Sequence, residues 1–286
     1  MKRIIAIMLS AIFALGLFGC ACSTPIVYGD ADKYTAGNFT YDGSGITKID
    51  VDWAAGDVTL KNGSGTLSVT ESSADTLEDW ETLRWWIDGT TLKIRYCQSG
   101  KAFRFTDGRK KDLTIELPVF ADVSIDVASG KVVSDGRLDF GKFDLDTAYG
   151  GAEIAELYAE EVEIDSASGK ISVGYASVKG LFQVDTASGG LSVGEIDAHS
   201  IQIDSASGGV SLGLKRTIWK VDLDVASGAV NLKLMDPEEG ATVQFEAITG
   251  SLNTKLPYEK SGKTYTFGSG KIRINVDAVA GTVTVE

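Results

Sequence analysis

The 286-residue chain carries 27 Lys and Arg against 40 Asp and Glu, a formal charge of −13, together with 33 Gly, 4 Pro, 3 Cys and one His. This acidity lacks the clustered cations that nucleic acid binding requires, and a lone His199 excludes a His-rich zinc site and leaves any Ser-His-Asp or Cys-His scheme resting on that one residue. Hydrophobic residues at 43% suffice for a packed core, so the glycine content does not mark disorder.

The chain begins with a basic Met1-Lys2-Arg3 and an uncharged apolar stretch, Ile4 to Phe18. That stretch fits the apolar region of a signal peptide and is shorter than the ~20 residues of a comfortable membrane span. It ends in Leu17-Phe18-Gly19-Cys20, which resembles a bacterial lipobox. The resemblance implies a lipoprotein signal peptide over residues 1–19, lipid attachment at Cys20 and a tether over 20–45. Acyl chains in pairs or more hold a protein stably on a bilayer. The expected location is the extracytoplasmic face of the bacterial cell membrane. Plain secretion and an uncleaved anchor are the alternatives. Cys22 lies in the tether and Cys97 far along the chain, and two leftover cysteines in an exported protein can pair.

Residues 46–120 are expected to form an N-terminal β cap. It contains an isolated Asp52-Trp-Ala-Ala-Gly56 followed by Val58 and Leu60 at alternating positions. Leu67–Val69, Leu83–Ile87 and Leu92–Tyr96 read as strands, the last two joined by an Asp88-Gly89 hairpin turn. Four of the five tryptophans, Trp53, Trp80, Trp85 and Trp86, fall here. They suit the core of a cap over an otherwise open sheet end, and a sugar-stacking platform is the functional alternative. Lys101, Arg104, Arg109, Lys110 and Lys111 form a basic patch that reads as a solvated loop or as a contact for anionic groups.

From residue 121 to 286 the chain is a repeat. Asp-x-Ala-x-Gly recurs with anchors at Asp126, Asp146, Asp165, Asp185, Asp204 and Asp224, at spacings of 20, 19, 20, 19 and 20. Degenerate copies start at Glu246 and Asp277. Apolar residues sit one and three positions before each anchor, as Val162 and Ile164 do, and six and eight after it, as Ile171 and Val173 do. This period of two describes half-buried strands on either side of a tight corner. A unit of ~20 residues cannot bury its apolar face alone, so units must stack. The expected fold is all-β: a single-stranded parallel β-solenoid, or β-helix, rising ~4.8 Å per coil. An antiparallel sandwich is the competitor. The anchors Asp52, Asp126, Asp146, Asp165, Asp185, Asp204, Asp224, Glu246 and Asp277 are read as structural repeat corners that accept hydrogen bonds from following backbone amides. A calcium ladder is the sharper alternative, against which stands the absence of Gly-Gly-x-Gly-x-Asp. Residues 254–267, with Pro257, read as an excursion, and the Asp277 copy as the terminal coil.

The Asp-x-Ala-Ser-Gly ladder, Leu113-Thr-Ile-Glu-Leu-Pro118 before it and the closing Phe267–Gly281 segment with Thr-Val-Thr-Val after it resemble a bacterial family. This is the β-strand-repeat family of "putative adhesins", a domain of unknown function, and the likeness spans residues 46–286. It implies a solenoid-like domain tethered to a membrane and no established catalytic residues. The expectation is therefore a lipid-anchored cell-envelope protein of structural or adhesive type. It would present its coils to an unknown protein or cell-wall glycan, without cofactor, metal, nucleic acid or enzymatic activity. Two other classes compete. One is a polysaccharide-active β-helix enzyme using surface carboxylates such as Asp144, Glu163 and Asp222, since a glycosidase needs only two. The other is an exported accessory domain of an envelope-sensing system.

Overall fold

The computed structural model describes residues 24–63, 65–103, 110–117 and 120–286. Cys20, Cys22, Arg104 and Arg109 lie outside them. Among the described residues no helix is long and apolar enough to cross a membrane. The strands are β1 (Thr24–Ile26), β2 (Thr35–Ala36), β3 (Phe39–Tyr41), β4 (Lys48–Ala55), β5 (Val58–Asn62), β6 (Leu67–Ser73), β7 (Arg84–Asp88), β8 (Thr91–Arg95) and β9 (Lys101–Phe103). They continue as β10 (Lys111–Leu117), β11 (Asp122–Ser188), β12 (Leu191–Ser205), β13 (Val210–Leu214), β14 (Lys220–Leu234), β15 (Ala241–Thr254), β16 (Tyr258–Ser261), β17 (Thr264–Phe267) and β18 (Ile272–Val285). The fold is all-β.

Alternation decides the core. The residues one and three positions before the anchors, among them Ile49 and Val51, Phe143 and Leu145, Phe182 and Val184, Val221 and Leu223, are buried in one continuous cluster. Full burial of such a side chain is worth roughly 1.5–3 kcal/mol. Stacking keeps equivalent residues in register: Asp52 faces Asp126, Asp185 faces Asp204, Asp204 faces Asp224, and Asp224 faces Asp277, all in parallel pairs. Pairing continues around the corners, which is why β11 runs unbroken for 67 residues.

Glycine closes each corner for a reason visible at Gly208. Its φ is +143°, and a Cβ there would sit 1.6 Å from the carbonyl oxygen of Gly189 on the preceding rung. Gly150 is placed likewise against Gly130, at 1.8 Å. The rungs approach too closely at this column for any side chain.

The sheet as a whole is mixed, unlike the purely parallel coil expected. At the N-terminal end β4 pairs in parallel with β8, but β8 pairs antiparallel with β7 through the Asp88-Gly89 turn, and β7 with β2. On the other leg β5 pairs in parallel with β10, while β10–β6 and β6–β3 are antiparallel. Much of the expected tether is therefore built into the sheets, since β1 also pairs with β9. A cap must end the stack with its edge hydrogen bonds directed elsewhere, and antiparallel hairpins do this with few residues.

The C-terminal end also departs from the expectation. The Asp277 copy is not the terminal coil: β18 inserts between β14 and β15, pairing in parallel with both. The outermost rung is β15, which carries Glu246. Residues 254–267 are not an irregular excursion but hold the β16–β17 hairpin, which lays β17 antiparallel on Ala241–Gln244.

Candidate functional site

The register lines up nine acidic side chains in one column: Asp52, Asp126, Asp146, Asp165, Asp185, Asp204, Asp224, Asp277 and Glu246. Among the described residues no backbone amide donates to Asp126, Asp146, Asp165, Asp204 or Asp224, because the left-handed glycine makes the corner and no Asx turn is needed. The carboxyls interact with one another instead. Burial pushes Asp126 up to about 7, helped by repulsion from Asp146 and by a hydrogen bond to it that favours the protonated form. Asp165 also rises to about 7, first through burial and then through the charges of Asp185 and Asp146. Asp204, Asp224 and Asp277 are raised in the same way, by burial and then by the nearest rung. Stacked like charges in a partly desolvated row hold protons that isolated carboxylates release.

Both ends of the column meet a cation. Arg95 lies opposite Asp52 in the β4–β8 pair and lowers its proton affinity against the effect of burial. Its guanidinium also donates to Asp50 Oδ1 at 2.7 Å. At the other end Lys263 Nζ lies 3.0 Å from Glu246 Oε2 and, with Gln244, holds that carboxyl below its usual range.

A second outward column runs two residues before the anchors: Asp50, Ser124, Asp144, Glu163, Gln183, Gln202, Asp222, Asn275 and Gln244. Its carboxylates are engaged by their own face. Lys142 Nζ lies 2.7 Å from Glu163 and 3.3 Å from Asp144, and Asp222 is held by Lys220 at 2.5 Å and Asn275 at 2.8 Å. Toward the C-terminal end the two columns line a groove of about 570 Å³, bordered by Asp204, Asp222, Asp224, Glu246, Asp277 and three side-chain amides. Among the described residues no group of His, Cys, Asp and Glu is arranged to hold a metal ion. His199 is exposed. The face can accept and donate hydrogen bonds to a polar partner and can exchange protons near neutrality.

The tryptophans do not form one platform. Trp53 is buried, and its Nε1 donates to the Lys111 carbonyl at 2.9 Å. Trp85 stacks on Phe39 at 4.0 Å, and Trp86 has the amines of Lys33 and Lys93 within 4.7 Å of its ring centre. Of the expected basic patch Lys101, Lys110 and Lys111 are described, and Lys111 is not part of an exposed surface. Lys111 is 2% exposed and places its ammonium 2.7 Å from Glu71, 2.5 Å from the Glu81 carbonyl and against that of Tyr96. Lys101 lies over Trp80. Lys111 escaped the sequence reading because a lysine among lysines looks solvated; the partner that buries it, Glu71, is 40 residues away. Cys97 is a buried free thiol, its pKa pushed up to about 11 by burial.

A family model described as Toastrack DUF4097 matches residues 46–286. No curated protein matches the chain. Among solved structures, a "putative adhesin" from Bacteroides fragilis is similar at 14% identity and a TM-score of 0.55, covering 88% of this chain and 97% of that one. A "putative adhesin" from Parabacteroides distasonis is 12% identical with a TM-score of 0.51, covering 91% of this chain and 99% of that one. These likenesses bear on the fold.

Proposed function

This chain belongs to the Toastrack DUF4097 family, and on that premise we propose that it is a cell-envelope protein of structural or adhesive type. It is held by a lipid on Cys20 at the extracytoplasmic face of the bacterial membrane and presents the polar face of a β-solenoid to an envelope partner, a protein or a cell-wall glycan. The observation that carries this reading is the pair of in-register carboxylate and amide columns with the groove of about 570 Å³ at their C-terminal end. A regularly repeated row of hydrogen-bonding groups suits a polymeric or extended partner better than a single small molecule. The ion pairs of Asp144 and Glu163 with Lys142 and of Asp222 with Lys220, together with the hydrogen bond that Asn275 donates to Asp222, favour a binding surface over glycoside cleavage. The adhesin names of the similar structures and the lipobox-like Leu17–Cys20 support the same reading.

Two experiments test its two halves. Metabolic labelling with an alkyne fatty acid should mark the wild-type chain and leave Cys20→Ala unlabelled and released from the membrane fraction; an unlabelled wild type refutes the anchor. Retention of the purified protein on cell-wall glycan or envelope protein fractions should fall in an Asp222→Asn/Asp224→Asn variant. Retention unchanged by that variant, or none at all, refutes the binding face.

A further inference from the structure

The outer edge of β15 is open beyond residue 245. The β17 strand covers Ala241–Gln244, and the Phe245 amide makes the last contact of that hairpin, donating to the Lys263 carbonyl at 3.0 Å. From Glu246 to Thr254 the strand pairs, among the described residues, only with β18 on its inner side. What the outer side offers follows from the inner rungs. There the corner glycine donates toward the next rung, Gly189 to Ser207 O at 3.0 Å and Gly208 to Ser227 O at 3.1 Å. The apolar residue two positions later does the same, Ile171 to Gly190 O and Leu191 to Gly209 O, both at 2.9 Å. On the last rung the equivalent amides belong to Gly250 and Leu252, and no strand of the described residues follows them.

The devices that blunt natural edges are missing here. Ala247-Ile-Thr-Gly-Ser-Leu-Asn-Thr254 contains no charge and no proline. Ile248 is 76% exposed, and Val279 on the adjacent rung is partly exposed beside it. The charges stand at the two ends of this run, Glu246 before it, with Lys263 of its own chain at one carboxylate oxygen, and Lys255 after it. Among the described residues Lys255 has no ion-pair partner. Reversing the segment and laying it against itself sets Ala247 opposite Thr254 and brings each Glu246 to a Lys255 of the other copy. The corner makes this geometrically natural, because a two-fold axis near Gly250 and Ser251 maps the leg before the corner onto the leg after it. Glu246 and Lys255 lie on the outward side of their respective legs, six before Leu252 and one after Thr254, so the opposed charges share a face.

We propose that the C-terminal edge docks a second copy of this chain, β15 against β15 in antiparallel register about a two-fold axis, with two symmetry-related Glu246–Lys255 pairs fixing that register. The chain is otherwise strongly acidic, at −13, so two copies repel over most of their surfaces. The uncharged strip bounded by opposite charges is where that repulsion is smallest and the backbone has most to gain. Self-complementarity is what an isologous interface requires.

Sedimentation equilibrium of the full chain, in detergent if lipidated, from micromolar to millimolar concentration tests this. The wild type should show a monomer–dimer equilibrium. Lys255→Glu should weaken it by at least about tenfold, since the change acts twice in the dimer and turns attraction into repulsion. The double swap Glu246→Lys/Lys255→Glu, made together with Lys263→Glu so that the intramolecular partner of residue 246 is exchanged as well, should recover the wild-type constant to within about threefold. Ile248→Lys, a lysine on the open edge, should abolish it. Thermal unfolding of each variant in the monomeric range checks the fold. A monomer at every concentration overturns the proposal. So does a dimer indifferent to Lys255→Glu, or a double swap no better than the single change.

Discussion

The two ends of the stack face the same problem and meet it differently. At the N-terminal end, non-repeat sequence folds back in antiparallel strands: β8, β7 and β2 on one leg, β10, β6 and β3 on the other. Buried aromatics and the enclosed Lys111–Glu71 pair fill the space beneath them. At the C-terminal end the repeat itself is outermost, and one hairpin covers only its first four residues. A stack of identical rungs has no intrinsic reason to stop, so stopping takes sequence that breaks the pattern. Here one end has about seventy residues of such sequence and the other very little. The difference in closure reaches the core, since the inward Phe245 and Leu252 of the outermost rung are only half-buried, whereas Val58 and Leu60 beside the N-terminal cap are fully buried.

The largest effect is expected where the N-terminal closure is opened. Lys111 contributes an ammonium enclosed by Glu71, two backbone carbonyls and the rings of Trp53 and Tyr96. Lys111→Ala leaves the Glu71 carboxylate buried without its cation, a loss of about 3–5 kcal/mol. Chemical denaturation read by tryptophan fluorescence should show it, with Trp53 reporting directly because its indole donates to the Lys111 carbonyl. A loss under about 1 kcal/mol would mean that the cap does not depend on this pair.

The next effect lies in the repeat between the ends. Gly208→Ala forces a Cβ into the Gly189 carbonyl at a φ that L residues rarely adopt, and should cost about 3 kcal/mol or more. Gly136, with nothing near its hypothetical Cβ, should accept alanine within about 0.5 kcal/mol. Equal costs at the two sites would remove the stacking explanation of the corner.

This contrast also shows what could be read from the sequence. The spacing of the anchors and the period of two gave the all-β class, the corner, the buried columns and the hairpin at Asp88-Gly89, because each is a local pattern repeated many times. The ends were less legible. Nothing local distinguishes Asp277 as an inserted rung from Asp277 as a terminal one, since insertion between β14 and β15 depends on where a hairpin of different sequence folds. Gly174, Gly194 and Gly213 form a second close-approach column that the Asp-x-Ala-x-Gly motif does not contain. Motif by motif, the carboxylate column reads as nine separate caps. Only the register makes it one electrostatic object.

That object gives a third prediction, in which the middle and the ends of the column differ. An unfolded Asp titrates near about 3.9, whereas Asp126 and Asp165 titrate at about 7 in the folded chain. The folded protein therefore binds protons that the unfolded chain does not. Their contribution to stability is full below the unfolded value and is lost as pH rises through about 7. After screening by solvent, thermal unfolding at pH 6 should lie ~2–4 °C above that at pH 8. Asp165→Asn should flatten this dependence and raise stability at pH 8. Asp52→Asn should do so less, because Arg95 already opposes the charge there. A midpoint that falls between pH 8 and pH 6 would refute the shared column.

The smallest expected effect concerns the interior side of the same corners. The residue after each anchor points inward, and the column reads Trp53, Val127, Thr147, Ser166, Thr186, Ser205, Val225, Ala278 and Ala247. At its centre the hydroxyls of Thr147, Ser166, Thr186 and Ser205 are buried and have no hydrogen-bond partner in the structure. Rungs ~4.8 Å apart place consecutive hydroxyls beyond direct bonding distance. An unsatisfied buried hydroxyl costs about 1–3 kcal/mol, while a methyl of the same shape costs nothing in that respect. Val127 and Val225 show that the column accepts valine one rung to either side of this block. Thr186→Val should therefore stabilise the protein by about 1 kcal/mol, seen as a higher denaturant midpoint with an unchanged slope. If valine destabilises instead, a bound water must satisfy these hydroxyls, and the centre of the stack would be held by an internal polar file that neither end possesses.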